Sequence, residues 1–172
     1  TLRNAGQESR ELDVTSYAEW LLGFAPDEHR EFHKLFIETS ADAPNQTVYA
    51  RKCLWGFPDD RGRHNNIDWP YSAFMSVSEP LKSFDCDKES FLGLYQNDDK
   101  PHAMSLPQLA AKSGRFTDAI AALQVEVHLA PGEAKTIVFT LGVAEDGRED
   151  AADLIERYTS VEKSRKALQE VH

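Results

Sequence analysis

The segment Asp59 to Asp68 holds the densest set of groups in this chain that could grip a substrate. Asp59, Asp60, Arg61, Arg63, His64, Asn65, Asn66 and Asp68 crowd together, and Trp69 and Tyr71 follow. Arg, Asn and Asp present planar hydrogen-bonding edges that suit sugar hydroxyls, and a nearby aromatic ring can stack on a sugar face. Polar groups on a loop held by a rigid framework are a common way to build a site. A merely solvated loop is the plainer reading of composition alone, since loops are polar for many reasons.

Other constellations carry less. His29 and His33 would share one face of a helix, but a zinc helix of the protease type needs Glu after the first His, and Arg30 stands there. The run Asp85-Cys86-Asp87-Lys88-Glu89 imitates the start of a calcium loop without its central Gly or distant Glu, so it reads as a charged turn. Asn45-Gln46-Thr47 fits a glycosylation acceptor that means nothing without secretion. There is no Gly-rich phosphate loop and no Gly-x-Ser-x-Gly. The many carboxylates offer no pair that spacing assigns as acid and nucleophile. No metal site and no cofactor are expected.

The elements that must position the Asp59 to Asp68 loop are mostly strands. Leu12, Val14, Ser16, Ala18 and Trp20 alternate with Asp13, Thr15, Tyr17 and Glu19, a half-buried strand with one polar face. Leu2 to Asn4 reads as a strand end whose turn leads into it as a hairpin. Further strands are expected near Phe36 to Thr39, Gln46 to Trp55, Tyr71 to Ser78 and Leu81 to Asp85, with a turn at Ser40 to Asn45. Phe91 to Gly114 reads as mostly irregular. Ala119 to Leu129 and Ala134 to Val143, around Pro131-Gly132-Glu133, read as the clearest hairpin. From Gly147 to His172 there is no Gly or Pro after the first residue. Leu154, Tyr158, Val161 and Leu168, widened by Ala151, Ile155 and Val171, recur at helical spacing. The expected architecture is therefore mainly β, an antiparallel β-sandwich over residues 1–146 with one amphipathic C-terminal helix over 147–172.

The 172 residues suffice for one domain with a small appendage. Hydrophobic content of 41% and charged content of 28% are those of a soluble globular chain. A net charge of −10 and a pI near 5.0 argue against nucleic acid and anionic membrane as partners. No apolar run approaches the about 20 residues of a membrane helix. No secretory leader is visible, and the chain opens on Thr1 as though inside an element. Cys53 and Cys86 read as free thiols in a reducing compartment.

Several segments, in order, resemble the N-terminal sandwich of the inverting disaccharide phosphorylases of glycoside hydrolase family 94, once called glycosyltransferase family 36. They are Leu2-Arg-Asn with Arg10-Glu-Leu-Asp-Val-Thr-Ser-Tyr-Ala-Glu-Trp-Leu-Leu-Gly23, Ala73-Phe-Met-Ser-Val-Ser-Glu79, Phe84-Asp-Cys-Asp-Lys-Glu-Ser-Phe-Leu-Gly93, Ala122-Leu-Gln-Val-Glu-Val127 with Leu129-Ala-Pro-Gly-Glu133, and Val138-Phe-Thr-Leu-Gly142. The family includes cellobiose, cellodextrin, chitobiose and cellobionic acid phosphorylases. The resemblance implies a supersandwich-like fold entered part-way, with earlier strands missing. It makes the C-terminal helix a linker to an (α/α)6 barrel outside this chain that carries the catalytic acid. The isolated chain should then be inactive. It further implies a homodimer in which a sandwich loop closes the partner's active site. The family's Arg-Asn pair in that loop points to Arg63, His64, Asn65 and Asn66 as substrate-binding residues, across an apparent insertion in register.

The resulting expectation is the sandwich part of an enzyme that cleaves a β-linked gluco-disaccharide with inorganic phosphate as co-substrate, releasing α-sugar 1-phosphate and a free sugar. A cytoplasmic location follows, because a sugar phosphate made outside would be lost. This reading expects little sugar affinity from the chain without barrel and partner subunit. The alternatives are a carbohydrate-binding or interaction module, a sandwich serving only dimer contact, and part of a cyclic β-glucan synthase. The polar face of the Arg10 strand is expected to pack on the exit helix or the absent barrel.

Overall fold

The computed structural model describes residues 1–23, 34–53, 69–145 and 148–171. Two antiparallel sheets face each other. One has the strand order β2 (Arg10–Glu19), β7 (Ala119–Leu129), β6 (Leu81–Asp87). The other runs β3 (Ile37–Asp42), β4 (Thr47–Lys52), β5 (Ser72–Val77), β9 (Phe139–Ala144). A short ribbon pairs β1 (Leu2–Arg3) with β8 (Ala134–Lys135). The mainly β, sandwich-type architecture expected from the alternating patterns is present.

Leu123, Val125, Val127 and Leu129 of β7 point between the sheets, against Val48, Ala50, Ala73, Met75 and Val77. The period of two places one face of each strand in this layer, and the β-branched and aliphatic residues there suit a pleated, packed surface. Both outer faces are partly covered as well. On the β7 side, Ile120 and Ala122 lie under Phe91 and Leu92 of the short helix α1 (Lys88–Leu92) and under Ala103 and Leu109. On the β5 side, Tyr49, Phe74 and Ala144 lie under Ala151, Leu154 and Ile155 of α2 (Arg148–Tyr158).

Four strands facing three leave an overhang. Leu141 and Val143 share the inward parity of Phe139, yet remain 59% and 49% exposed. The facing sheet therefore covers them only in part.

Four sequence expectations change. The hairpin of Ala119 to Leu129 with Ala134 to Val143 does not form, because β2 and β6 occupy both edges of β7. The chain instead turns at 130–133, adds two residues beside β1, and crosses to pair β9 with β5. β1 likewise pairs with β8 and not with β2. Asn4 holds that corner: its side chain donates to the carbonyls of Glu8 and Leu129 at 2.8 and 3.0 Å, and its backbone bonds Gly132 and Glu133.

The single helix expected over 147–172 is two, α2 and α3 (Val161–Val171). Ser160 Oγ accepts from the Lys163 amide at 3.1 Å, the bond of a helix N-cap, and Thr159 is tied to Thr140 through their hydroxyls at 2.9 Å. The apolar stripe is therefore split. Its first half is buried on the sheet, while Leu168 and Val171 of the second half are largely exposed. The run Asp85 to Glu89 is the end of β6 and the start of α1, not a turn, and the Asp87 side chain caps that helix by accepting from the Glu89 amide.

Candidate functional site

Arg63, His64, Asn65 and Asn66 lie outside the described residues, as do His29 and His33. The strands that precede and follow residues 54–68 in sequence, β4 and β5, are described. β4 and β5 are neighbours, paired through Ala50 and Ala73. Trp69, considered above as a ring for stacking on sugar, packs against the inter-sheet core and meets Tyr71 edge-on at 5.0 Å.

Beside the end of β4 a cavity of about 500 Å³ opens. Its walls come from two stretches far apart in sequence, Lys34 to Glu38 at the start of β3 and Arg115 to Asp118 just before β7. Local hydrogen bonds hold these together. The Thr39 amide donates to the Gly114 carbonyl at 2.8 Å, and the Gly114 amide donates back to Thr39 Oγ1 at 3.0 Å. The Lys88 amide takes the Asp118 carbonyl at 2.9 Å, and the Cys53 amide takes the Phe36 carbonyl at 2.8 Å.

The apolar part of the lining is Leu35, Phe36, Ile37 and Phe116. Phe36 and Phe116 sit at φ of 62° and 66°, in the left-handed region. For a bulky side chain this conformation costs about 1–2 kcal/mol, and such outliers gather at functional sites. Phe116 is 89% exposed and Phe36 48%.

The rim is charged. Arg115 donates to Glu38 at 2.8 Å and holds that carboxyl below its usual range. Lys34 donates to Glu19 at 2.7 Å and lies 3.8 Å from Asp118. Cys53 Sγ lies 3.7 Å from Glu38, and burial raises its pKa, which suits a quiet thiol more than a nucleophile. Burial pushes the Cys86 thiol up to about 12. The Thr117 hydroxyl, on the cavity wall, is shielded from solvent and has no hydrogen-bond partner.

Glu19 links this rim to the polar face of β2. It accepts from Lys34, from Lys88 at 2.6 Å and from the Tyr17 hydroxyl at 3.1 Å, while the Tyr17 ring stacks on Phe91 at 4.9 Å. Asp13, further along that face, accepts from Lys82 at 2.8 Å. The polar face therefore meets α1 and β6, and the exit helix lies on the other sheet, so of the two partners expected for this face the exit helix is not one. The two lysines hold the Glu19 carboxyl down to about 2 from its ordinary 4.5. A depressed carboxyl adds stability above its ordinary value and loses it as pH falls. Glu19→Gln should therefore cost about 1 kcal/mol at pH 7, read from urea midpoints. The difference should fade as pH falls from about 4.5 to about 2. A difference that does not vary with pH would refute this account.

At the other end of β2, Glu11, Glu126 and His128 converge, with His128 Nε2 3.2 Å from Glu126. All three are exposed, and Lys82 lies 3.3 Å from Glu126, so the group reads as a surface charge network.

Sequence reasoning did not single out Phe116 or Arg115. The available signal was an Arg-Phe pair straight after Gly114, between the stretch read as irregular and the strand expected from Ala119.

A family model described as Glycosyl hydrolase 94, supersandwich domain, matches residues 1–161. The cyclic beta-(1,2)-glucan synthase NdvB of Rhizobium meliloti (strain 1021) is 30% identical over 164 residues, covering 91% of this chain and 6% of that protein. The chain thus spans a small fraction of the length of the curated relative it matches. No helix among the described residues is long and apolar enough to cross a membrane.

Proposed function

This chain belongs to glycosyl hydrolase family 94, as its supersandwich domain, and from that premise we propose that it is the sandwich part of an inverting glycoside phosphorylase. The match over residues 1–161, on a sandwich of the expected architecture, carries the reading. The whole enzyme takes a β-linked gluco-disaccharide and inorganic phosphate. Phosphate attacks the anomeric carbon in line while an Asp on a barrel outside this chain protonates the leaving oxygen. The attacking oxygen needs no activated water, so one carboxylic acid serves where an inverting hydrolase needs two.

In this scheme the sandwich contributes dimer contacts, and Arg63, His64, Asn65 and Asn66 orient the leaving-side sugar in the partner's active site. The reaction belongs in the cytoplasm, where its sugar phosphate is kept. The test is the complete polypeptide supplied with gluco-disaccharides, with and without phosphate. Phosphate-dependent release of α-sugar 1-phosphate is the expected result, and its absence would overturn the proposal. Arg63→Ala in that enzyme should lower kcat/KM for the disaccharide about tenfold or more, the scale of a lost hydrogen bond to a charged group. Unchanged kinetics would remove Arg63 from the site.

The match to a cyclic beta-(1,2)-glucan synthase favours a second reading, in which the same sandwich serves inside a polypeptide that makes cyclic β-glucan. A complete polypeptide that forms cyclic product and releases no sugar 1-phosphate would select it.

A further inference from the structure

We propose that the free edge of β9 is a self-association surface, on which a second copy of this chain pairs its own β9, antiparallel, about a two-fold axis at Leu141. The surface belongs to the sandwich itself and does not depend on phosphorolysis. The two facing sheets end in the strands β2, β6, β3 and β9. Unpaired N–H and C=O groups along such an edge accept a further strand unless the chain blocks it. The stretch 111–114 blocks two of them. The Ala111 amide donates to the Phe84 carbonyl of β6 at 2.8 Å, the Cys86 amide to the Lys112 carbonyl at 2.9 Å, and the Thr39 amide of β3 to the Gly114 carbonyl at 2.8 Å. β2 carries Arg10, Glu11, Asp13 and Glu19, and charges on an edge deter pairing. β9 has neither device. From Thr136 to Ala144 there is no charged residue, and among the described residues no strand pairs with its outer side.

The phase of the backbone fixes what that edge offers. The Ser78 amide donates to the Val138 carbonyl at 2.9 Å, and the Val77 amide to the Gln46 carbonyl ahead of β4 at 3.1 Å. In an antiparallel ladder the backbone groups of successive residues point to opposite sides. Thr140 and Gly142 therefore turn theirs to β5, and Phe139, Leu141 and Val143 turn theirs outward. The same three residues carry the inward-facing side chains, of which Leu141 and Val143 stay about half exposed. A strand added here gains hydrogen bonds and an apolar layer together.

Symmetry and charge name the occupant. Read antiparallel about Leu141, β9 is its own complement. Leu141 stands opposite the partner's Leu141 and Phe139 opposite the partner's Val143, so outward groups meet outward groups, apolar side chains meet on one face, and no like charges oppose. With a net charge of −10, two copies repel over most of their surface, and this uncharged stretch is where they approach at least cost. An isologous contact closes as a dimer and does not grow further. One strand pair is a small interface, so the dimer is weak and dilute samples are monomeric.

Sedimentation equilibrium of the 172-residue chain should show monomer and dimer with half-association at about 50–500 µM. Raising sodium chloride from about 50 to about 300 mM should tighten association about two- to fivefold, because salt screens the repulsion. Amide exchange followed by ¹⁵N NMR reads the register. In concentrated samples the amides of Phe139, Leu141 and Val143 should exchange about three- to tenfold more slowly than in dilute ones, while those of Thr140 and Gly142 stay equally slow in both. Leu141→Lys sets two cations face to face at the axis and should weaken association at least about tenfold. Leu141→Pro deletes an outward amide, which an edge strand tolerates, and should do the same. A chain that stays monomeric to about 1 mM, far above that range, overturns the proposal. So does a dimer that survives Leu141→Lys or protects other amides. In the complete polypeptide, slow exchange of the three amides at every concentration would mean that a strand of the same polypeptide holds the edge, which overturns it too. None of these outcomes bears on phosphate-dependent turnover.

Discussion

Leu123→Ala will lower the unfolding free energy by about 2–5 kcal/mol, whereas Leu141→Ala will lower it by under about 1 kcal/mol. Leu123 lies on the central strand of its sheet, wholly buried and flanked by Ser16 on one neighbour and Phe84 on the other. Removing its branch leaves a void between two sheets whose backbones are hydrogen-bonded on both sides, so collapse around the gap is limited. The loss then includes a cavity contribution beyond transfer of the side chain to water. At roughly 2–4 °C per kcal/mol for a chain of this size, the melting point should fall by roughly 4–20 °C. Leu141 has the same inward parity but is 59% exposed on the overhanging edge, so truncation removes little buried surface. Paired thermal melts check this directly. Equal losses at the two sites would mean that the overhang is covered in the folded protein, against the described architecture.

Gly142→Ala will destabilise by about 1–3 kcal/mol, the usual range for overpacking. The residue stands directly across from Phe74, and a Cβ there would come within 2.5 Å of Phe74 Cζ and 2.8 Å of Cε1. The Phe74 ring is 1% exposed under Ala151 and Leu154 of α2, so it has no free space to enter. Gly142 has no unusual backbone angle, and Ala would otherwise be the better strand residue, which isolates the collision as the cause. In a Phe74→Leu background, where the far end of the ring is absent, the same substitution should cost at most about half as much. The coupling should be about 1 kcal/mol in a double-mutant cycle followed by urea denaturation. Strictly additive losses would show that the collision is not what destabilises Gly142→Ala.

The loop around Arg63 and the Phe36–Phe116 cavity stand in different relations to the sequence. The Asp59 to Asp68 segment stands out in the sequence because its polar residues are consecutive. The cavity is not legible there, because Glu38 and Arg115 are 77 residues apart and their stretches meet through tertiary hydrogen bonds such as those of Thr39 with Gly114. A strained Phe also leaves no mark on composition, since φ is set by the turn that contains it.

The sequence by itself determined which face of each strand is apolar, where the helical tail starts, and the family. Alternation and helical period are local properties, written within about ten residues. Only the tertiary structure decided which strands pair, and there the local reading erred. β7 has two edges, and once β2 and β6 hold them its neighbour in sequence must pair elsewhere. The tertiary structure likewise decided that Leu123 is core while Leu141 overhangs, and that the polar face of β2 is neutralised by Lys34, Lys82 and Lys88. Edges, overhangs and ion pairs are properties of segments that meet from far apart, so no window of the chain contains them.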